Sequence, residues 1–334
     1  HSKVEYRMNL HENKNLFTQA VQATADRMNI ATVYIEKDYW VTYALQIIFS
    51  HEIGKDCVFK GGTALSKCFN VIQRFSEDID LVVVRREGET DNQMKSKLKS
   101  ICDLVSAVLP EVEIPEITNK RGMNRKTAHT YRKEFKGDFG QAREVIVLES
   151  SWLGHPEPFT KKELQSYIGE MMFQTNQDKL AVEYGMVPFP INVLEPVRTI
   201  CEKIMSLVRF SYNENPIYNL KQKIRHTYDL YMLLSLKDYS EFFYSEEFDR
   251  MLIKVANDDV ASYKNNNQWL VHHPNDALIF SELDSVWAEL VPVYNGDFRK
   301  LVFGTLPEPE LVLRSLHHIK ERLHTIGWTI KIEK

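Results

Sequence analysis

Apolar positions recur at helical spacing between residues 15 and 50, where Tyr39, Trp40, Val41, Ala44, Leu45 and Ile48 follow the polar lead Glu36-Lys37-Asp38. The pattern predicts helix across this stretch. Cys57-Val58-Phe59-Lys60 reads as a short strand stopped by Gly61-Gly62, with a helix to follow over 64–72. β-Branched enrichment over 79–84 predicts a second strand. In 91–109, Met94, Leu98, Ile101, Val105 and Val108 step by four and three, as in an amphipathic helix, and Pro110 closes it. Residues 112–136 are polar and irregular, with room for strands, and 145–149 is an apolar strand.

Beyond about residue 155 the strand-like runs thin out. Helical patterns take over at 161–173, 197–211, 221–236, 246–256, 277–291 and 308–325. Pro196 opens one of these at a favoured first-turn position. The expected organisation is an α/β domain with N-terminal helices over 1–155 and a mainly helical domain over 156–334.

At 334 residues the chain is long enough for two domains or one large one. Lys plus Arg number 42 and Asp plus Glu 46, so the net charge of −4 excludes a strongly basic nucleic-acid coat as a whole-chain description. A local basic groove stays open. The cysteines at 57, 68, 102 and 201 form no CxxC pair; they suit a reducing cytosol and argue against a disulfide scaffold or a Cys-rich zinc site. No apolar run approaches the ~20 residues needed to cross a bilayer. A cytoplasmic protein is expected. The opening His1-Ser2 does not read as a signal peptide but as a remnant of cloning.

The most informative stretch is Lys60-Gly61-Gly62-Thr63-Ala64-Leu65-Ser66-Lys67, followed by Arg74-Phe75-Ser76-Glu77-Asp78-Ile79-Asp80-Leu81. Two glycines after a strand let the backbone approach a ligand closely. A helix starting behind them favours an anion such as a triphosphate. On the next strand, Asp78 and Asp80 are two residues apart and share a face. Carboxylates that close repel unless a cation lies between them or one is protonated. An all-oxygen pair beside nucleotide phosphates suits Mg²⁺. Alone, a Gly-Gly is most often only a turn, and an Asp-x-Asp only a solvated pair. It is their conjunction that points to chemistry. No P-loop pattern is present.

These segments resemble the AbiEii/AbiGii toxin family of the nucleotidyltransferase superfamily, marked by Gly-[Gly/Ser]-[Ser/Thr], a spacer and Asp-x-Asp. Glu36-Lys37-Asp38-Tyr39-Trp40-Val41-Thr42 is similar to the family's N-terminal helix. Leu194-Glu195-Pro196 through Glu202-Lys203-Ile204 is similar to its lysine helix, and Ile224-Arg225-His226-Thr227-Tyr228-Asp229-Leu230 to its Arg-x-x-Tyr-Asp-Leu motif. The resemblance covers roughly 30–236. It implies an α+β fold: a polymerase-β-like mixed sheet with flanking helices, followed by a helical C-terminal domain that contributes Lys203 and Asp229 to the cleft. It also implies a toxin of a type IV toxin–antitoxin or phage-abortive system, addition of nucleotides to a tRNA 3′ end, and an AbiEi-type antitoxin encoded nearby.

The expected reaction is in-line attack of an acceptor hydroxyl on the α-phosphate of an NTP, releasing pyrophosphate. Asp78 and Asp80 would hold Mg²⁺, with Glu149 as the third carboxylate at the end of its apolar strand. Gly61, Gly62 and Thr63 would cradle the β- and γ-phosphates, with Lys67 and Lys203 as cationic donors. Ser76 would either bond a triphosphate oxygen or cap its turn, and Asp229 would line the site. His226 stands where one family version has aspartate, and its part in chemistry stays open. For the acceptor, Lys120, Arg121, Arg125, Lys126, Arg132, Lys133 and Lys136, interleaved with His129 and Tyr131, form a segment able to hold an RNA backbone or simply to be solvated. Transfer to a small-molecule or protein hydroxyl is the alternative, and a non-enzymatic binding module the third reading. Residues 237–334 read as generic helical structure.

Overall fold

The structure, a computed structural model, describes residues 8–332; the reading of His1 and Ser2 lies outside the described residues. The stretch expected as one helix forms two, Lys14–Met28 and Thr32–Ser50. Asn29 ends the first in a left-handed conformation, φ 53°, which asparagine tolerates better than other side-chain-bearing residues. Asn13 caps the start of that helix by accepting from Leu16 N–H at 3.1 Å.

The strands are β1 (Cys57–Lys60), β2 (Ile79–Val83), β3 (Glu111–Val112), β4 (Asn124–His129), β5 (Ile146–Ser151), β6 (Phe159–Leu164) and β7 (Phe189–Leu194). They form one mixed sheet in the order β3-β4-β5-β2-β1-β7-β6. β2 is antiparallel to β1 and parallel to β5, while β4 is antiparallel to both β3 and β5. β1 and β7 are parallel through Phe59 and Val193. The helix Asp91–Ser106, capped by Thr90 and Gln93, turns Met94, Leu98, Ile101 and Val105 inward, as its pattern predicts. The helix behind the glycines is shorter than expected. It runs Gly61–Lys67, and Asn70 then takes φ 53°.

Two strands lie where helix or loop was expected. Residues 161–164 belong to β6, and the helix begins only at Tyr167, where Ser166 Oγ accepts from Gly169 N–H at 3.0 Å. β7 contains Pro190, which lacks a donor and weakens the strand signal; Ile191, Val193 and Leu194 are nevertheless buried.

The described residues divide into two compact units. Residues 8–69, 75–152 and 161–193 carry the sheet and its flanking helices. Residues 70–74, 153–160 and 194–332 form a helical unit, with Pro196–Ser211, Ile224–Leu234, Glu246–Ser262, Leu283–Val293 and Pro309–His324 among its helices. Its core includes Leu207, Tyr228, Leu252, Leu290 and Leu316. This is the expected α+β arrangement, a mixed sheet with flanking helices followed by a helical C-terminal part. Among the described residues, no helix is long and apolar enough to cross a membrane.

Candidate active site

Four charged residues stand in line across four neighbouring strands. Lys60 on β1 pairs with Asp80 on β2, Asp80 with Glu149 on β5, and Glu149 with Lys126 on β4. Directly opposed residues project from the same face of a sheet, so the row presents cation, carboxylate, carboxylate, cation. Asp78 comes just before β2, two residues ahead of Asp80, and its charge acts on the Asp80 carboxyl. Asp78 Oδ1 is 3.4 Å from Arg143 Nη1.

The environments of the two central carboxylates differ. Glu149 is pushed up by burial, but Lys126, Asn124 and Lys60 outweigh that and leave it below the usual carboxylate range. Asn124 Nδ2 donates to its Oε1 at 2.9 Å, and Lys126 Nζ lies 3.2 Å from its Oε2. Asp80 is pushed up to about 7 by burial and by the negative charges of Glu149 and Asp78. That strain is what a bound cation would relieve.

The glycine turn is built around the same carboxylate. Gly61 has φ +86°, and a Cβ on it would come within 2.7 Å of Asp80 Oδ2. Only glycine fits there without strain. Thr63 Oγ1 donates to the Asp78 carbonyl at 2.8 Å and lies 2.9 Å from Ser76 Oγ. Both hydroxyls are buried, so they pin the turn to the Asp78 segment.

A second cluster forms within the helical unit. Arg74 Nε and Nη2 donate to Asp229 Oδ1 and Oδ2, each at 2.7 Å, and Lys203 Nζ is 2.8 Å from Oδ2. Burial would raise the Asp229 carboxyl, but Arg74 and Lys203 override it and hold it down to about 2. His226 is held well below its ordinary value by burial, then by Lys203, Lys223, Arg74 and Arg225. A lysine ammonium only donates. His226 Nδ1, 3.3 Å from Lys203 Nζ, is therefore the acceptor, and Nε2 carries the hydrogen toward Ser206 Oγ at 3.2 Å.

A family profile described as "Nucleotidyl transferase AbiEii toxin, Type IV TA system" matches residues 44–303. The chain belongs to this family. It is a nucleotidyltransferase, and its class is the toxin of a type IV toxin–antitoxin system. Among solved structures, MenT4, a nucleotidyltransferase toxin from Mycobacterium tuberculosis H37Rv, is similar at 16% identity and a TM-score of 0.45, over 90% of this chain and 98% of that one. No curated protein matches the chain.

For a member of the AbiEii family the placement of the remaining expected residues is informative. Lys67 has its ammonium 2.6 Å from Asp38 Oδ1 and 3.8 Å from the centre of the Tyr167 ring, with its side chain 2% exposed. It is committed to an interior ion pair. In the basic segment, Lys120 pairs with Glu111, Lys126 with Glu149, Arg132 with Glu134 and Lys133 with Glu144. His129 and Tyr131 are buried, while Arg121 and Lys136 are exposed. Sequence reasoning missed Lys60, Asn124 and Arg143 as neighbours of the carboxylates, and missed that Lys126 belongs to their row. Arg143 reaches Asp78 because Lys37 donates to its backbone carbonyl and its N–H donates to Glu77 Oε1 at 3.3 Å.

The residues also bear on a metal. Among the described residues, no three His, Cys, Asp or Glu side chains are grouped so as to hold an ion by themselves. A site of one or two carboxylates completed by phosphates and water is how Mg²⁺ is usually bound. Asp78 and Asp80, two residues apart and mutually repulsive, fit that role; Glu149 is engaged by Lys126 and Asn124.

Proposed function

We propose that this toxin transfers a nucleoside monophosphate from an NTP to an RNA hydroxyl, the 3′ end of a tRNA being the acceptor, with Mg²⁺ as the metal. The cytoplasm is the proposed location, and an AbiEi-type antitoxin encoded nearby the proposed counterpart. The observation that carries the reading is the direct opposition of Asp80 and Glu149 on neighbouring strands beside a glycine turn that fits the Asp80 carboxylate. When bound, Mg²⁺ would neutralise charge building on the phosphates and acidify the attacking hydroxyl.

The chain's own groups do the rest. Gly61 and Gly62 let backbone approach the β- and γ-phosphates where any side chain would stand in the way. Thr63 and Ser76 hold that turn in register with Asp78. Asp78 and Asp80, with Glu149 as the third carboxylate, would hold the metal, and Glu149, kept ionised, would also accept the hydrogen of the incoming hydroxyl and align it for in-line attack. Pyrophosphate leaves. Lys203 and Asp229 are proposed to be required for turnover.

The RNA acceptor rests on the family resemblance. A second reading, transfer to a small-molecule or protein hydroxyl, is favoured by the pairing of Lys120, Lys126, Arg132 and Lys133, which leaves fewer cations for an RNA backbone. Charge reversal at Arg121 and Lys136 separates the two. The RNA reading expects labelling of tRNA by the double variant to need a severalfold higher tRNA concentration, with turnover at saturation kept. Unchanged tRNA dependence, together with label on a small molecule or protein, would favour the second.

A further inference from the structure

We propose that Lys126 is a built-in counter-cation of the active site, occupying Glu149 in the free protein and yielding it only when a divalent ion arrives with a nucleotide. The inference deepens the proposed function and rests on its reading of Asp78, Asp80 and Glu149 as metal-site carboxylates.

The register is what places Lys126 there. It is the direct partner of Glu149, which is the direct partner of Asp80. Its Nζ lies 3.2 Å from Glu149 Oε2, and Asn124 takes Oε1, so both oxygens of this carboxylate are in use. The backbone of Lys126 is fixed by paired hydrogen bonds with Asn119, 2.7 and 2.8 Å long. What can move is the side chain, a flexible stem carrying a point charge. Both partners remain partly accessible, at 32% for Lys126 and 35% for Glu149, so water can replace either in the pair.

Two consequences follow from Coulomb's law. A dication approaching Asp80 and Glu149 meets a positive charge already in place, so the bare metal binds weakly. A triphosphate changes the balance, because its oxygens give the released ammonium a new partner on the same face. Metal and nucleotide should therefore bind with mutual reinforcement, and Lys126 should be the source of part of it.

The test is Mn²⁺ binding, followed by electron paramagnetic resonance and by calorimetry, to the full chain with and without a non-hydrolysable NTP analogue. Lys126→Met should bind Mn²⁺ about tenfold more tightly than the unaltered protein when nucleotide is absent, and should gain less on adding the analogue. Lys126→Arg, which keeps the charge, should behave like the unaltered protein. Lys126→Gln provides a second neutral variant, and thermal unfolding of each shows that it is folded. Equal or weaker Mn²⁺ binding by both folded neutral variants would overturn the proposal while leaving the metal site intact. Failure of every form, the unaltered protein included, to bind Mn²⁺ with or without the analogue would overturn the metal reading, and this inference with it.

Discussion

Gly61 and Asp80 are fitted to each other: the glycine's missing side chain is the space into which the Asp80 carboxylate points, 2.7 Å from where a Cβ would stand. Gly61→Ala adds a methyl group at that spot and forces alanine into the left-handed region, at about 1–2 kcal/mol for the backbone alone. The expected outcome is a lowered unfolding midpoint together with at least a tenfold loss of nucleotidyl transfer. Parallel melting and turnover measurements check it.

The Asp229 carboxylate serves two cations, Arg74 and Lys203. Removing it strands both in the interior, so Asp229→Ala should lose about 3–5 kcal/mol in denaturant unfolding. Lys203→Met leaves the Arg74–Asp229 bidentate pair in place and should cost much less. If Lys203 is required for chemistry, that variant folds and turns over poorly; full turnover by it would assign Lys203 to structure.

Glu36 is a buried acid on the helix Thr32–Ser50 that accepts from Glu134 N–H at 2.8 Å. Burial pushes it up to about 7. Its folded form holds a proton that the unfolded chain has already released above the ordinary carboxylate range. The stabilisation is thus fully present below the unfolded value and is lost as pH rises through about 7. Glu36→Gln, which keeps an acceptor but cannot ionise, should flatten the fall in stability between pH 5 and 8 (about three units). An unchanged slope in urea unfolding across that range would contradict this.

Lys67 offers a sharp contrast between two roles. As an interior partner of Asp38, it should matter to folding: Lys67→Met leaves a buried carboxylate unpaired and should destabilise by several kcal/mol. As a phosphate ligand, it would instead raise the KM for NTP with stability intact. Unfolding and KM measured on the same variant decide, and the ion pair predicts that stability is what changes.

What the sequence made legible was local. The glycine turn and the Asp78–Asp80 pair could be read because their relation depends on neighbouring residues and on the two-residue repeat of a strand. Glu149 could be picked out because it follows an apolar run, although β5 continues past it to Ser151. The bond of Glu149 to Lys126, and the place of Lys60 opposite Asp80, could not, because they depend on register between strands far apart in the chain, and one residue of slip reverses every side chain. The bond between Arg74 and Asp229 was hidden too, because they are separated by 155 positions and only the folding of the chain brings them together. β7 was hidden by Pro190, and β6 by an apolar spacing that belongs to the helix starting at Tyr167.

The central claim is transfer of a nucleotide by the Asp78–Asp80 site. Purified protein incubated with Mg²⁺, each α-³²P-labelled NTP in turn and total cellular RNA, beside an Asp80→Ala control, tests it most directly. The account predicts label in a tRNA-sized band with the unaltered protein and none with the variant. Equal labelling by both, or no label in RNA with any nucleotide, would contradict it.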